Sequence, residues 1–524
     1  MPISLNYSSK ALAFFAGAIF LLVYWVIGYD GITFSDDVYY LIAGKKFWEG
    51  SMQINSHHFS SRWGAYGPAG FLGMVVGFDP HRVSLISGLS YVISLGLLIR
   101  ILPKESNPIL LSLWFCTQVF FLHFLTKVYP DSLLILWVSL IGFSAIYRQK
   151  QPIWAAFGII AGLFIGFMTK ETIVFLAPFP FFLALWDWKK SQFSMPFYGS
   201  VMGFGVLVLA LYLGYFAWFY GDPLYRISSI NAGHYISEYT YADKGMTAIL
   251  RRITYLPILT FVERGYWLWL VMSIPGVLLA WKKGQNEGVV FSLLSGCLLL
   301  GFWLMSSTLA FYNPIYLNPR HLIILIPGLA FLIALGWNFW EENQSLKKLL
   351  LILFALGIGI SLFQQDWKMA GFQLAIGTVL FWNKVQMKLP IIAILLLVPS
   401  LAAVRYQKTI KDYNGFMDSL EKNLEDSKNQ TPILTHNFIH FSREVLVLED
   451  TIKQKLLLPI EKLDSLKSHL PSEIRVFLYD YYKHAYPKEQ EDVDRLEQFL
   501  LENYTQVEVR QEGLTNTRRF QKRN

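Results

Sequence analysis

Charge is scarce in this 524-residue chain: Asp, Glu, Lys and Arg together make up 16% of it, against about 25% in ordinary soluble domains. A disordered chain needs charge and few apolar residues to stay unfolded, so that class is excluded. There are two cysteines, Cys116 and Cys297, both inside apolar runs. They exclude a disulfide-stapled scaffold and carry no information on compartment. The sequence has no glycine-rich nucleotide loop, no basic stripe interleaved with aromatics for nucleic acid, and no internal repeat of the kind that builds transporters from duplicated halves. Its apolar runs are almost free of ionisable residues, whereas proton and ion pumps place some near the midplane.

What the chain does have is apolar surface: 54% hydrophobic and 16% aromatic residues. A soluble protein could not hide that much. The excess collects in runs of about 15–24 residues, the length that crosses a bilayer as helix. Thirteen spans are predicted, at 11–28, 82–101, 108–125, 131–147, 153–169, 172–186, 197–220, 265–281, 289–310, 321–338, 349–363, 369–382 and 389–404. The first has a nearly neutral flank and no small-residue cleavage site, so it reads as an anchor. Every second connection is short and basic: Arg100 with Lys104, Arg148 with Lys150, Lys189-Lys190, Lys282-Lys283, Lys347-Lys348, and Lys384 with Lys388. With Lys10, these place the N-terminus and the short loops in the cytoplasm.

An odd number of spans puts residues 405–524 on the other side. That tail holds 19 basic and 20 acidic residues and no run long enough to span. Short β-like stretches, Pro432–Leu434, Ile474–Tyr479 and Gln506–Val509, alternate with charged helical stretches such as Glu489–Glu502. The expected architecture is an all-α polytopic bundle over 1–404 followed by a small extracytoplasmic α/β domain over 405–524.

Two outer connections are long. Residues 29–81 open with Ser35-Asp36-Asp37-Val38-Tyr39-Tyr40 and continue as an amphipathic helix through Trp48, with Val38, Leu41, Ile42, Phe47 and Trp48 on its apolar side. Residues 221–264 are rich in Tyr (225, 235, 239, 241) and carry Arg226, Arg251, Arg252 and Arg264. Loops of that size on a bundle are where function sits.

The candidate chemistry lies on this same face. Asp36-Asp37 sit at the start of the interfacial helix. Ser35 or Asp36 would serve there as an N-cap, and a carboxylate at a low-dielectric boundary gains proton affinity, which suits a general base. Asp131 follows Tyr129-Pro130 between spans three and four; Pro at N1 and Asp in the first turn start a helix, and a second carboxylate could also orient a substrate or help hold a divalent cation. Lys170-Glu171 join spans five and six with almost no loop, as a snorkelling pair or a functional cation. Arg320-His321 precede span ten, and Lys170 with Arg320 could hold a phosphate. His57 and His58 lack acidic or Cys ligands at regular spacing and read as surface residues. Chemistry at the outer rim is favoured over conduction through the middle. Two competing readings are a transporter or lipid flippase, and a membrane scaffold whose tail binds a partner.

The ordered set of these motifs resembles the GT-C membrane glycosyltransferases, in particular the branch of protein O-mannosyltransferases and lipid A aminoarabinose transferases. The resemblance rests on Asp36-Asp37-Val38-Tyr39-Tyr40, on Tyr66-Gly67-Pro68-Ala69-Gly70-Phe71-Leu72, on Pro130-Asp131, on Gly166-Phe167-Met168-Thr169-Lys170, and on Arg320-His321 through Pro327. It covers about residues 10–340. Asp37 stands where Glu is usual, Gly67 where a basic residue is frequent, and the tail matches no motif. The resemblance implies a polyprenyl-phosphate monosaccharide as donor and a lipid, glycan or protein as acceptor, joined by an inverting displacement outside the cytoplasm. It implies Asp36, Asp37 and Asp131 as catalytic residues, Lys170, Arg320 and His321 as phosphate ligands, and Tyr39, Tyr66 and Glu171 as positioning residues. Asp36 would take the acceptor proton, and a divalent cation beside Asp37 and Asp131 is an open option. Chain length and the simple tail favour a bacterial inner membrane; the sequons Asn429-Gln430-Thr431 and Asn503-Tyr504-Thr505 would matter only in a eukaryote.

Overall fold

In a computed structural model, residues 3–233, 240–382, 388–426, 431–448, 450–467 and 470–523 are described. Tyr235, Tyr239, Lys384, Asn429 and Gln430 lie outside them. Each of the thirteen predicted spans contains helix, but 289–310 runs too far: its helix ends at Leu304, and Ser306 bridges to Pro314 instead. Ten helices are long and apolar enough to cross a membrane, or eleven counting a bent pair. The two predicted spans outside that count are the helices Trp267–Lys283 and Trp367–Phe381, with 17 and 15 residues, at and just below the roughly 17-residue lower end for a spanning helix.

The bent pair is the predicted span 108–125. It is two helices, Pro108–Cys116 and Val119–Leu125, meeting at 73°. Gln118 starts the second helix, its side-chain carbonyl accepting from Phe121 N at 2.7 Å, while Ser400 Oγ donates to the freed Thr117 carbonyl at 3.1 Å. Those bonds satisfy backbone groups that a break inside lipid would otherwise orphan. At the face opposite the long connections, Arg148 forms a buried fork with Asp187, 2.7 and 2.6 Å, and Tyr198 OH donates to the same carboxylate at 2.7 Å. This pair joins two helices that hydropathy alone reads as uncharged.

The first long connection builds two helices. With α1 as Ile3–Gly28, these are α2, Asp36–Trp48, and α3, Trp63–Val76. They cross closely because both carry glycine at the crossing: a Cβ on Gly70 would sit 2.2 Å from the Gly44 carbonyl oxygen. The helix that holds the last predicted span continues to Lys411. After helix Tyr413–Asp426 comes a five-stranded sheet of β1 (Ile433–Thr435), β2 (Leu457–Pro459), β3 (Glu473–Tyr479), β4 (Tyr504–Glu512) and β5 (Thr515–Lys522), in the order β2-β1-β3-β5-β4. β1 pairs in parallel with β2 and β3, and β5 is antiparallel to β3 and β4. β5 escaped the sequence reading because its central positions are charged; Arg518 pairs with Glu497 and Arg519 with Glu473.

The apolar interior divides in two. One core fills the bundle. The other is shared: Ile32, Phe34, Val38, Tyr40 and Leu41 from the first connection pack with Phe416, Phe438, Phe477 and Tyr479 from the C-terminal domain. The first long connection and that domain therefore share one face of the bundle.

Candidate active site at the rim of the bundle

The acidic pair divides its labour. Asp37 is 2% exposed and its carboxylate accepts from Thr33 N at 2.6 Å, Thr33 Oγ1 at 2.6 Å, Val38 N at 3.0 Å and Ser35 N at 3.3 Å. Ser35 occupies the N-cap of α2 without a side-chain capping bond, so the start of this helix is held by Asp37 rather than by Ser35 or Asp36. That leaves Asp36 to turn outward. Its Oδ2 lies 2.8 Å from Arg320 Nη1, and the two side chains are 18% and 22% exposed.

Three further chain segments meet there. Pro130 opens helix Pro130–Ile146 and Asp131 falls in its first turn, where the positive helix end favours a carboxylate. Lys170 breaks the chain between helix Pro152–Thr169 and the 3-10 turn Glu171–Leu176, adopting extended geometry that sends its side chain inward. Lys170 Nζ reaches both Asp131 oxygens, at 2.6 and 2.7 Å. Arg320 stands on a short helix, Pro319–Leu322, started by Asn318. Its guanidinium lies 4.0 Å from Asp131 and over the Tyr129 ring at 5.1 Å. His321 Nε2 is 3.4 Å from Arg320 Nε.

Glu171 anchors a second half of the network. Arg62 Nε and Nη2 reach its two oxygens at 3.1 and 2.5 Å, Arg226 Nη2 joins at 3.1 Å, and Arg62 also donates to Tyr40 OH at 2.7 Å. Arg62 is 3% exposed and Arg226 is fully buried. Neither carries a motif in the sequence: Arg62 immediately precedes α3 in the first long connection, and Arg226 falls in the short helix Tyr225–Gly233 of the second. Arg226 was visible in the second long connection only as one of four arginines. Tyr39 packs edge-on against Tyr40, and His57 lies 5.0 Å from it. Tyr66 donates to Ser60 O at 2.8 Å and is buried.

The charges set the local electrostatics. Arg62, Lys170, Arg226 and Arg320 face Asp36, Asp131 and Glu171, leaving one positive charge in excess. Burial alone would raise the Asp36 carboxyl, but Arg320, then Lys170 and Arg62, outweigh it and hold Asp36 below its ordinary value. The raised proton affinity anticipated for Asp36 is therefore reversed by its neighbours. Burial pushes the Lys170 ammonium down to about 8, against the opposing pull of Asp131 and with Arg320 and Arg62 adding to the decrease. A divalent cation does not fit this donor set. Asp36, Asp131 and Glu171 each already face a cationic side chain, Asp37 is saturated by backbone and hydroxyl donors, and among the described residues no group of three or more His, Cys, Asp or Glu could hold a metal.

Beside the network lies a cavity of about 630 Å³, lined by Phe47, Trp63, Tyr66, Phe164, Tyr212 and Tyr215 among others. Trp63 and Phe47 from α3 and α2 are partly exposed at its edge, as are Leu211 and Tyr215 from helix Met195–Tyr220. The exposed side chains at its edge, Phe47, Trp63, Leu211 and Tyr215, are apolar or aromatic. Phe167 links it to the charges, packing on Tyr212 at 5.8 Å and under Arg226 at 4.2 Å.

No protein family and no curated protein matches the chain in sequence. Among solved structures it is similar to ArnT from Cupriavidus metallidurans in the apo state, with a TM-score of 0.59 at 11% identity over 98% of each chain. It is likewise similar to the same protein bound to undecaprenyl phosphate, with a TM-score of 0.58 at 12% identity over 97% of each chain. The likeness of fold to these ArnT structures thus runs from end to end. It includes the C-terminal domain, which the motif resemblance did not reach.

Proposed function

We propose that this chain is a multi-pass glycosyltransferase that moves a monosaccharide from a polyprenyl-phosphate donor to an extracytoplasmic lipid, glycan or protein. The observation that carries this reading is the meeting of Asp36, Asp131, Lys170 and Arg320, from four distant segments, in one ion network beside an aromatic-lined cavity. The undecaprenyl phosphate held by an ArnT of the same fold supports a lipid-phosphate donor. The setting we assign is a bacterial inner membrane, with the N-terminus cytoplasmic and residues 405–524 outside, where nucleotide sugars are absent and a lipid-linked donor can enter from the bilayer.

In this reading the donor's isoprenoid chain lies against the aromatic cavity and its phosphate at Arg320 and Lys170. The acceptor hydroxyl attacks the anomeric carbon, its proton passes to Asp36, and the bond from that carbon to the phosphate oxygen breaks with inversion. Negative charge grows on the departing lipid phosphate, where the two cations stabilise it. Arg320 is shared, since Asp36 holds it at 2.8 Å. A phosphate that draws on Arg320 weakens that hold and raises the proton affinity of Asp36 at the moment a base is needed. Asp131 keeps Lys170 oriented, Glu171 does the same for Arg62 and Arg226, and Asp37 sets the start of α2. His321, beside Arg320, would join it at the phosphate, and Tyr39 and Tyr66 would position the substrates.

Mass spectrometry of lipids and envelope glycans from cells with and without the protein tests this. One class of molecule should lose a single monosaccharide increment while the polyprenyl-phosphate sugar accumulates; unchanged profiles of both overturn the reading.

The pH dependence follows from Lys170. Its ammonium, with its pKa lowered to about 8, is protonated below that pH and lost above it. The kcat/KM for the donor should therefore fall on the alkaline side with a midpoint near that value. Lys170→Arg, which stays charged, should remove this limb even at a lower absolute rate. A wild-type profile flat through that range takes Lys170 out of phosphate binding.

A further inference from the structure

The segment that presents Asp36 is held from the far end of the sequence. Phe34 lies two residues before Asp36 and is 2% exposed. Its ring sits among Phe438 (5.2 Å), Phe416 (5.5 Å), Tyr479 (6.1 Å), Tyr413 (6.2 Å) and Tyr481 (6.3 Å). All five rings come from residues 413–481. The backbone at Phe34 has φ +57°, a left-handed conformation that a bulky side chain adopts only where its surroundings impose it.

Two more contacts grip the same stretch. Tyr486 OH donates to Thr33 O at 2.8 Å and Phe34 O at 3.2 Å, while its ring stacks on Phe438 at 4.5 Å. Gly31, at φ +89°, lies under Tyr413 so closely that a Cβ would be 2.1 Å from the ring. At the start of the segment, Lys127 donates to Asp30 and to the Gly31 carbonyl, and Lys411 lies 3.9 Å from Asp30.

We propose that the C-terminal domain positions the acceptor base: Phe34 and Tyr486 are positioning residues that fix where Asp36 meets Arg320. The inference rests on reading Asp36 as that base. Between the gripped residues and Asp36 there is one residue, Ser35, so a shift of the grip is delivered almost directly to the carboxylate. The domain would then be needed for turnover although none of its own side chains touches the reacting atoms.

Tyr486→Phe removes the two hydrogen bonds and keeps the ring stack. The expected result is a fall in kcat on the order of 10-fold, the scale of a misplaced catalytic group, with KM for a polyprenyl-phosphate monosaccharide and the unfolding temperature unchanged. A second readout needs no turnover. Cys116 and Cys297 are both buried, so a Ser35→Cys variant reports loop exposure through labelling by a membrane-impermeant maleimide. Labelling should quicken several-fold when Tyr486→Phe or Phe34→Ala is added; should Phe34→Ala not fold, Tyr486→Phe decides. Unchanged labelling together with unchanged kcat overturns the positioning role and leaves the transferase reading standing. If instead the wild type transfers no sugar, the transferase reading falls, and the labelling rates alone decide whether the domain holds the loop.

Discussion

Asp36→Asn should nearly abolish the proposed sugar transfer while the protein still folds and inserts. The substitution is nearly isosteric and removes one negative charge from a side chain that is 18% exposed, so stability should change little. General-base catalysis is worth about 10²–10⁴-fold, and a loss of that size is expected in kcat. The behaviour of the donor separates this from simple damage. In the proposed mechanism Asp36 and a lipid phosphate compete for Arg320, so with asparagine in place donor binding should be unchanged or tighter. A collapse of kcat with an equal or lower KM for the donor, measured on purified protein in liposomes, is the expected signature. Turnover within a few-fold of wild type would remove Asp36 from the role of base.

Arg320→Ala should cost on the order of 10²–10³-fold in kcat/KM, the range seen when a donor to developing charge is removed. Arg320 serves two partners, and the pH profile should report both. In the wild type its charge holds the Asp36 carboxyl below the ordinary value against burial. Without it the burial effect is less opposed, Asp36 gains proton affinity, and the acidic limb of the residual activity should move to higher pH. Lysine at this position keeps the charge, so Arg320→Lys should restore the acidic limb while recovering only part of the rate, since an ammonium cannot replace the forked guanidinium. A flippase or a scaffold predicts otherwise: transfer from the lipid donor would not be measurable in the wild type and so could not be lost.

Much of the bundle was legible because the bilayer imposes one crude rule, a minimum apolar length. Thirteen runs met it approximately, and helices formed at each. Length alone decides poorly in a few places. Trp267–Lys283 and Trp367–Phe381, with 17 and 15 residues, sit at the margin of that rule. The run 108–125 hides a 73° bend because Gln118 and Ser400 satisfy the break from the side. The motif residues of the site were legible individually, since polar groups at the ends of apolar helices are few and Pro130 and Pro319 mark helix starts. Arg62 and Arg226 were not, because an arginine outside any motif carries no sign of the carboxylate it will find more than fifty residues away.

By itself, the sequence determined that the chain spans a membrane and which face gathers its carboxylates and cations, because burial energy and helix termini act over a few turns of chain. The tertiary structure alone decided the roles within the cluster: Asp37 turned into the backbone, Asp36 outward to Arg320, and Phe34 seated in a domain some four hundred residues away. Those assignments depend on which distant surfaces close over a residue, and such contacts leave no periodic trace in the chain.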